Sequence, residues 1–488
     1  MTGALWLGLD LGTSSLKAVG IDDAGKIQFR HTEAYPSWET AEGGVEQDPS
    51  RYLDAVEAAI DRCGGERVKG IGLTGQTPTT VLVDSAGTPV RPAMTWQDRR
   101  AVAEAALLAD KLGPSAELLG TALPWSPAFE PAKLLWLSRH EPDVVRRTRW
   151  VLQPKDFVGL TLTGSPVSDP WSLKGLRNTL TGDPATSVLG AVGWPAEVVP
   201  PAADGGQARG EVSHDARRRL GLRAGTLVSV GWSDAMATML AAGAFDKPSG
   251  FVLAGTSSIV GLSTNDPAPE ASELLVIPSS CAPMTVCYGP TQSAGASVDW
   301  LAGVLQREPR EVLEMAARHP HNASLPLFVP YLAGERAPVW RPDARGVFLG
   351  LSIEDDAAAL ARSVVSGVCL SERDVLSTAE TRSGRCVEDI RISGRGAAAE
   401  PWRSARVEAL GRPLHMLDAP DATAVGAAML GMAAHHGGVL AQARDLESTS
   451  SEHVSTGSDR ASDRWLDQYR AAARIAVSSS QRLSQLTL

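Results

Sequence analysis

The chain lacks the cysteine pattern of a disulfide framework or a metal finger. Its five cysteines, Cys63, Cys281, Cys287, Cys369 and Cys386, are odd in number and form no CxxC pair. That argues for reduced thiols in a cytoplasmic protein, with Cys281 and Cys287 as the one alternative pairing. No HExxH or similar spacing occurs among the nine histidines, and the adjacent His435 and His436 are expected to lie exposed near a helix end. Positive charge is not in excess: 46 Lys and Arg stand against 56 Asp and Glu, a net charge of −10. Nucleic acid is therefore not an expected partner, and the short basic runs Arg146-Arg147 and Arg217 to Arg219 read as solvated helix faces. Long hydrophobic runs are missing too. The longest nearly apolar stretch, Ala424 to Ala434, is far too short to span a bilayer. No basic region or apolar run precedes Leu5, so neither a secretory signal nor a membrane partner is expected.

What is present is an ordinary globular composition, 43% hydrophobic and 21% charged over 488 residues, long enough for two or more domains. The tetrapeptide Gly-Thr-Ser-Ser occurs twice, at Gly12 to Ser15 and at Gly255 to Ser258, nearly half the chain apart. Each copy lies between apolar runs: Leu5-Trp-Leu-Gly-Leu and Leu16-Lys-Ala-Val-Gly-Ile flank the first, Phe251-Val-Leu and Ile259-Val-Gly-Leu the second. This pattern predicts two β-hairpins and an internal duplication. A glycine-opened turn rich in hydroxyls and N–H groups suits an anion such as a phosphate, although the same composition also serves an ordinary turn. Asp10, just before the first turn, ends a run that is otherwise apolar. A carboxylate at the tip of a buried strand needs a partner, and a metal-bound nucleotide would supply one.

Strand-like and helical segments alternate, with Val68-Lys-Gly-Ile-Gly-Leu-Thr-Gly and Thr226-Leu-Val-Ser-Val-Gly as further buried strands, so the class is α/β. Apolar spacing predicts helices over Leu134 to Arg139 and Ala357 to Ala379, and Pro195 to Gly210 reads as a loop. A lobe boundary is expected near Gly243 to Gly250. It divides the chain into 1–245 and 246–445, followed by 446–488, in which a polar tract from Ser448 to Asp463 links to a terminal helix from Trp465 to about Leu486.

In Val228-Ser-Val-Gly-Trp-Ser-Asp, Asp234 stands at a turn from strand to helix. It is either a helix N-cap or a general base for transfer of a phosphoryl group to an alcohol, with Asp10 near Mg²⁺. Three further segments read as small-ligand loops. Gln76, Thr77 and Thr79 follow a strand with groups suited to sugar hydroxyls; Trp96 offers a plate for a sugar's CH face beside Asp98 and Arg99; and Ile392-Ser-Gly-Arg-Gly-Ala-Ala leaves room for a flat adenine. Each alone is as consistent with turn or core.

Together, these segments resemble the FGGY family of carbohydrate kinases, and within it the xylulokinase-like branch, over about residues 5 to 440. The resemblance also rests on Lys133-Leu-Leu-Trp-Leu, Pro154-Lys-Asp-Phe, Gly295-Ala-Ser-Val-Asp-Trp-Leu and the long, specific run from Val329 through Gly334-Glu-Arg-Ala-Pro to Leu351. It implies two ribonuclease-H-like lobes, similar to actin, hexokinase and heat-shock chaperone ATPases, each on a mixed five-stranded sheet and closing over ATP-Mg²⁺ and a sugar. It further implies an N-terminal lobe carrying the sugar site and base and a C-terminal lobe binding the nucleotide. Asp234 would deprotonate the sugar hydroxyl, with Asp10 beside the Mg²⁺ and phosphates and Thr13 and Ser14 near the γ-phosphate. Gly255 and Thr256 would meet the outer phosphates, and Gly295, Gly394 and Gly396 would surround the nucleotide. Relatives are often dimers, so a homodimer is the partner that the resemblance implies.

Departures fall at sugar-facing positions. Xylulokinases carry Met-His after the glutamine matching Gln76 and glycerol kinases Arg-Glu, whereas this chain has Thr77-Pro78; beside the aspartate, Ala235 replaces the usual Asn or Gln. Proline brings no N–H and no polar side chain, so substrate choice is expected to differ from the relatives. Arg395 stands within what is usually a glycine run, either pointing away from the pocket, stacking on adenine or reaching a phosphate. The expected activity is phosphorylation of a primary hydroxyl of a small ketose, such as a pentulose, or a polyol. A non-catalytic sugar- or nucleotide-sensing protein of the same fold is the alternative.

Overall fold

The structure is a computed structural model that describes residues 3–319, 325–394, 397, 399–417, 421–440, 451–454 and 459–486. The chain forms two compact units: Met1–Ala241 with Ile277–Pro283 and Asp421–Ser448, and Ala242–Val276 with Met284–Pro420 and Thr449–Leu488. Unlike the contiguous lobes read from the sequence, these units are interleaved. The helix Ala422–His435 packs on strands of the first unit although it follows the second in sequence.

The first unit is built on β1 (Leu5–Leu11), β2 (Ser15–Ile21), β3 (Ile27–Ala34), β4 (Val68–Gly75), β5 (Ala208–Glu211), β6 (Leu227–Ser229) and β7 (Trp232–Ser233). They form one sheet in the order β5-β6-β4-β1-β2-β3, with β7 also paired to β4. β1, β2 and β3 are an antiparallel meander, and β4 and β6 run parallel to β1. Every residue of β1 is buried, which is why its sequence reads as a nearly unbroken apolar run.

The second unit repeats the plan with β8 (Ser249–Ala254), β9 (Ser258–Thr264), β10 (Leu275–Ile277), β11 (Thr285–Pro290), β12 (Ile390–Ser393), β13 (Leu414–Leu417) and β14 (Ser451–Val454), in the order β10-β11-β9-β8-β12-β13-β14. Here β8, β9 and β11 are the antiparallel meander, and β12 and β13 are the parallel strands. Both Gly-Thr-Ser-Ser copies connect the first two strands of their sheet, so the duplication is one of fold. The expected five-stranded plan is present twice, but each sheet has seven strands: β5 and β7 extend the first, β10 and β14 the second.

The helix Ala357–Ser383 covers the second sheet and is buried on most of its surface, including charged residues that find partners inside. Arg406 makes a two-pronged pair with Glu372 at 2.9 and 3.0 Å. The terminal helix runs Asp459–Leu486, starting before the expected Trp465. All five cysteines are free. Among the described residues, no helix is long and apolar enough to cross a membrane.

In the first unit, glycines set the distance between helix and sheet. A Cβ on Gly72 would lie 1.6 Å from the Ala427 carbonyl oxygen, and one on Gly8 would lie 1.9 Å from that of Ala424. Gly426 meets the helix Asp234–Ala241 in the same way, 1.9 Å from the Ala237 oxygen. Backbone therefore packs on backbone at three strand and helix surfaces, and no side chain can yield. Gly72→Ala is expected to lower stability by about 1–3 kcal/mol through this overpacking, read from the urea midpoint. An unchanged midpoint would show that the helix shifts freely.

Candidate active site

β1 carries Asp10 in its last turn of pleat, in register with Lys17 on β2 and Thr74 on β4. On the other side of β4, Trp232 pairs with the same Thr74, whose hydroxyl donates to the Trp232 carbonyl at 2.8 Å. Two residues on, the helix Asp234–Ala241 begins. The two carboxylates therefore reach the same end of the sheet from strands on either side of β4. Asp234 is the first helical residue, and its Oδ1 accepts the Ala235 N–H at 2.8 Å.

Their electrostatics are coupled. Burial, then the nearby Asp234, raises the Asp10 pKa to about 7; Asp421 adds to the rise and Lys17 opposes it. One Asp10 oxygen is buried without a hydrogen-bond partner among the described residues. Burial also raises Asp234, against the Ala235 N–H and the ammonium of Lys174.

The Gly12–Ser15 turn is clamped by its carbonyls. Tyr35 Oη donates to Gly12 O at 2.5 Å, Gln47 Nε2 to Thr13 O at 2.6 Å, and the Tyr35 N–H to Ser14 O at 3.1 Å. Trp96 Nε1 donates to Thr13 Oγ1 at 3.0 Å, which ties the expected sugar plate to the expected phosphate turn. Ser14 is exposed and Thr13 half-buried. Gln47 also accepts from Gln76 Nε2 at 2.7 Å, which leaves the buried Gln76 Oε1 as an acceptor without a partner. Gln47 joins two motifs, the Gly12–Ser15 turn and Gln76, yet nothing in its surrounding sequence marks it.

The loop after Gln76 is held from below. The buried Lys133 donates to Pro78 O at 3.0 Å and to Met94 O at 3.1 Å, and burial lowers its pKa to about 8, against the pull of Glu130. Gln153 accepts the Thr79 N–H at 2.8 Å and donates to Glu130 at 2.5 Å. Lys155 pairs with Asp156 at 2.6 Å and Asp169 at 2.8 Å. The family-like runs at Lys133 and Pro154 thus scaffold the loop.

Asp98, expected beside the sugar, is held within its own loop. Its buried carboxylate is bound by Arg100 Nη2 at 2.6 Å and Nε at 3.1 and 3.2 Å and by the Val45 N–H at 3.3 Å, within a network that includes Glu46 and Arg91. These bonds to Arg100 and to the backbone of Val45 anchor the loop. Arg99 is exposed, with its N–H on Gly43 O at 3.2 Å.

In the second unit, the Gly255–Ser258 turn lies against the start of the helix Gly295–Leu305. The Gly295 N–H donates to Gly255 O at 3.0 Å, and those of Ala294 and Ala296 to Thr256 O at 2.9 and 3.1 Å. Gly394, at φ 133°, has its Cα so close to β8 that a Cβ would lie 1.9 Å from Ala254 O. Ala254, Gly255, Ala294, Gly295, Trp402 and Arg406 line one pocket. Gly255, Thr256, Gly295 and Gly394 are thus brought together, while Gly396 and Arg395 lie outside the described residues. The long family-like run supports this wall, because Glu335 accepts the Gln292 N–H at 2.5 Å just before the helix; burial raises its pKa to about 8.

The duplicated plan is that of the ATP-dependent sugar kinases of the actin/hexokinase-like fold. The chain belongs to the FGGY family of carbohydrate kinases, matching its N-terminal domain over residues 5–241 and its C-terminal domain over 250–435. It is similar to a xylulose kinase of Klebsiella pneumoniae, 29% identical over 88% of this chain and 90% of that protein. It is also similar to a glycerol kinase of Alkalilimnicola ehrlichii, 28% identical over 87% and 89%. A crystal structure of a xyloylose kinase from Brucella ovis superposes with a TM-score of 0.87 at 27% identity, covering 99% of this chain and all of that one.

Because Asp10 holds its proton more tightly folded than unfolded, its contribution is greatest at low pH and is lost as pH rises from about 4 toward 7. Asp10→Asn is therefore expected to raise stability at pH 8 by on the order of 2 kcal/mol, with the gain shrinking as pH falls through 7 to 5. A destabilised variant at pH 8 would show that the carboxylate is already compensated.

Proposed function

We propose that this kinase transfers the γ-phosphoryl group of ATP to a primary hydroxyl of a small ketose or polyol, with Asp234 as general base. The observation that carries the reading is the placement of Asp234 and Asp10 at one sheet end, both with raised proton affinity. A base works best when its pKa approaches the working pH, and burial moves Asp234 in that direction. Asp234 would take the hydroxyl proton as that oxygen bonds to the γ-phosphorus and the bond to the ADP oxygen breaks. Gln76 Oε1 and Thr77 are the polar groups left for the sugar, and Trp96 supplies an apolar face.

Asp10 suits Mg²⁺: it has a buried oxygen without a partner, and neighbouring carboxylates make a cation favourable. Among the described residues no group of three or more His, Cys, Asp or Glu is arranged to hold a metal, but Mg²⁺ bound with a nucleotide needs only one or two carboxylates beside phosphates and water. The ion would neutralise phosphoryl charge. The nucleotide would rest on the pocket at Gly255, Gly295 and Trp402. Reduced thiols and reliance on ATP favour a cytoplasmic setting.

Substrate choice should depart from that of the relatives. Pro78 offers only its carbonyl, already taken by Lys133, and Ala235 has no polar side chain, so D-xylulose is expected to be poor.

ADP release measured over ketopentoses, ketotetroses, tetritols, pentitols, glycerol and sugar acids should reveal one productive class. Asp234→Asn should keep ATP binding and lower turnover by roughly 10²-fold or more. Silence across the panel with ATP bound, which is the behaviour of a sensor, or near-normal turnover in the variant would overturn the reading.

A further inference from the structure

Lys174 lies beyond every motif in the sequence. It sits in the connection Trp171-Ser-Leu-Lys-Gly and is only 7% exposed. Its ammonium has three donors. Among the described residues one hydrogen bond is present, to Thr77 Oγ1 at 3.1 Å, and the Trp171 ring centroid lies 5.6 Å away. Three carboxylates act on it through space, Glu130, Asp234 and Asp169, but none lies within ion-pair distance. Glu130 is held by Gln153 at 2.5 Å and Asp169 by Lys155 at 2.8 Å. Lys174 is therefore a buried cation that touches the sugar loop, acts on the proposed base and has no contact counterion among the described residues.

Such an arrangement is unfavourable by itself. Removing an ammonium from water costs several kcal/mol, and one neutral hydroxyl does not offset that. A neutral sugar could be read by a neutral donor at lower cost. A carboxylate on the substrate would complete the site, with charge-assisted hydrogen bonds to both free donors.

We propose that Lys174 selects the substrate and that the acceptor is a small polyhydroxy acid, its carboxylate bound by Lys174 and Thr77 while a hydroxyl is presented to Asp234. This rests on the proposed function for the site and the base, replaces its neutral acceptor by an acid, and has a test that can be read from binding alone. The opposing fields of Asp10 and Asp234 would then make the lysine necessary: without it an anion would be repelled. Burial lowers the Lys174 pKa, so affinity for the acid should weaken toward high pH, as the ammonium is lost, with no matching change for a neutral ligand.

The experiment is calorimetric titration of the full chain, with a non-hydrolysable ATP analogue present, against aldonates and the alditols of the same chain length, from tetronate to hexonate. The wild type should bind one aldonate at least about tenfold more tightly than its alditol. Lys174→Met should abolish that preference, so that the aldonate binds no more tightly than its alditol, and Lys174→Arg should restore part of it. Equal or weaker binding of every aldonate by the wild type would overturn the proposal without any variant. So would a preference that survives in Lys174→Met with an unchanged melting temperature. Absence of turnover with the acid-selective binding intact would instead count against the kinase reading and leave the role of Lys174 standing.

Discussion

A buried carboxylate, Asp10, and a half-buried one, Asp234, at one end of a sheet are the feature on which the rest of the first unit depends. Asp10 and Asp234 repel each other, burial raises the proton affinity of both, and Asp421 adds to the field at Asp10. Such a pair persists only where the surroundings fix it, and here they do so through backbone. Thr74 on β4 is the common neighbour of Asp10 and of the short strand that leads to Asp234. The charge is unfavourable for the fold and useful for chemistry, since it provides a proton acceptor and a place for a cation.

That fixation rests on close packing. Glycines on β1, β4 and the helix Ala422–His435 let backbone approach backbone, and the helix that begins with Asp234 shares the contact through Gly426. A packed contact of this kind has no soft side chain to absorb a shift, so the carboxylate positions inherit the rigidity of the sheet. The ligand loops are fixed differently, by buried polar bonds: Lys133 below the Thr77-Pro78 segment, Gln47 across Thr13 and Gln76, and Arg100 on Asp98.

Much of this was legible in the sequence, for reasons that can be named. The two hairpins follow from apolar runs around a glycine-opened turn, and Asp10 declared itself as a charge on a buried strand. Asp234 was marked by a turn between strand and helix. The helix Ala422–His435 was visible, but its location was not, because an evenly apolar helix fits any core. The extra strands β5, β7, β10 and β14 are short, or lie beside turns, and carry little periodic signal. For Asp98, residue type and position do not reveal that Arg100, two residues on, binds its carboxylate. Lys174 and Gln47 were missed because a single polar residue in a turn or in a three-residue strand looks solvated until the fold buries it.

The central claim is that an aspartate of raised pKa accepts the substrate proton, and the pH dependence of kcat/KM tests it most directly. Measured on the best substrate between pH 5 and 9, the rate should fall on the acid side with an apparent pKa well above the ordinary carboxylate value of about 4, belonging to the Asp10–Asp234 pair as a whole. A profile that stays flat down to pH 5 would contradict the account, since neither carboxylate would then need to be ionised in that range.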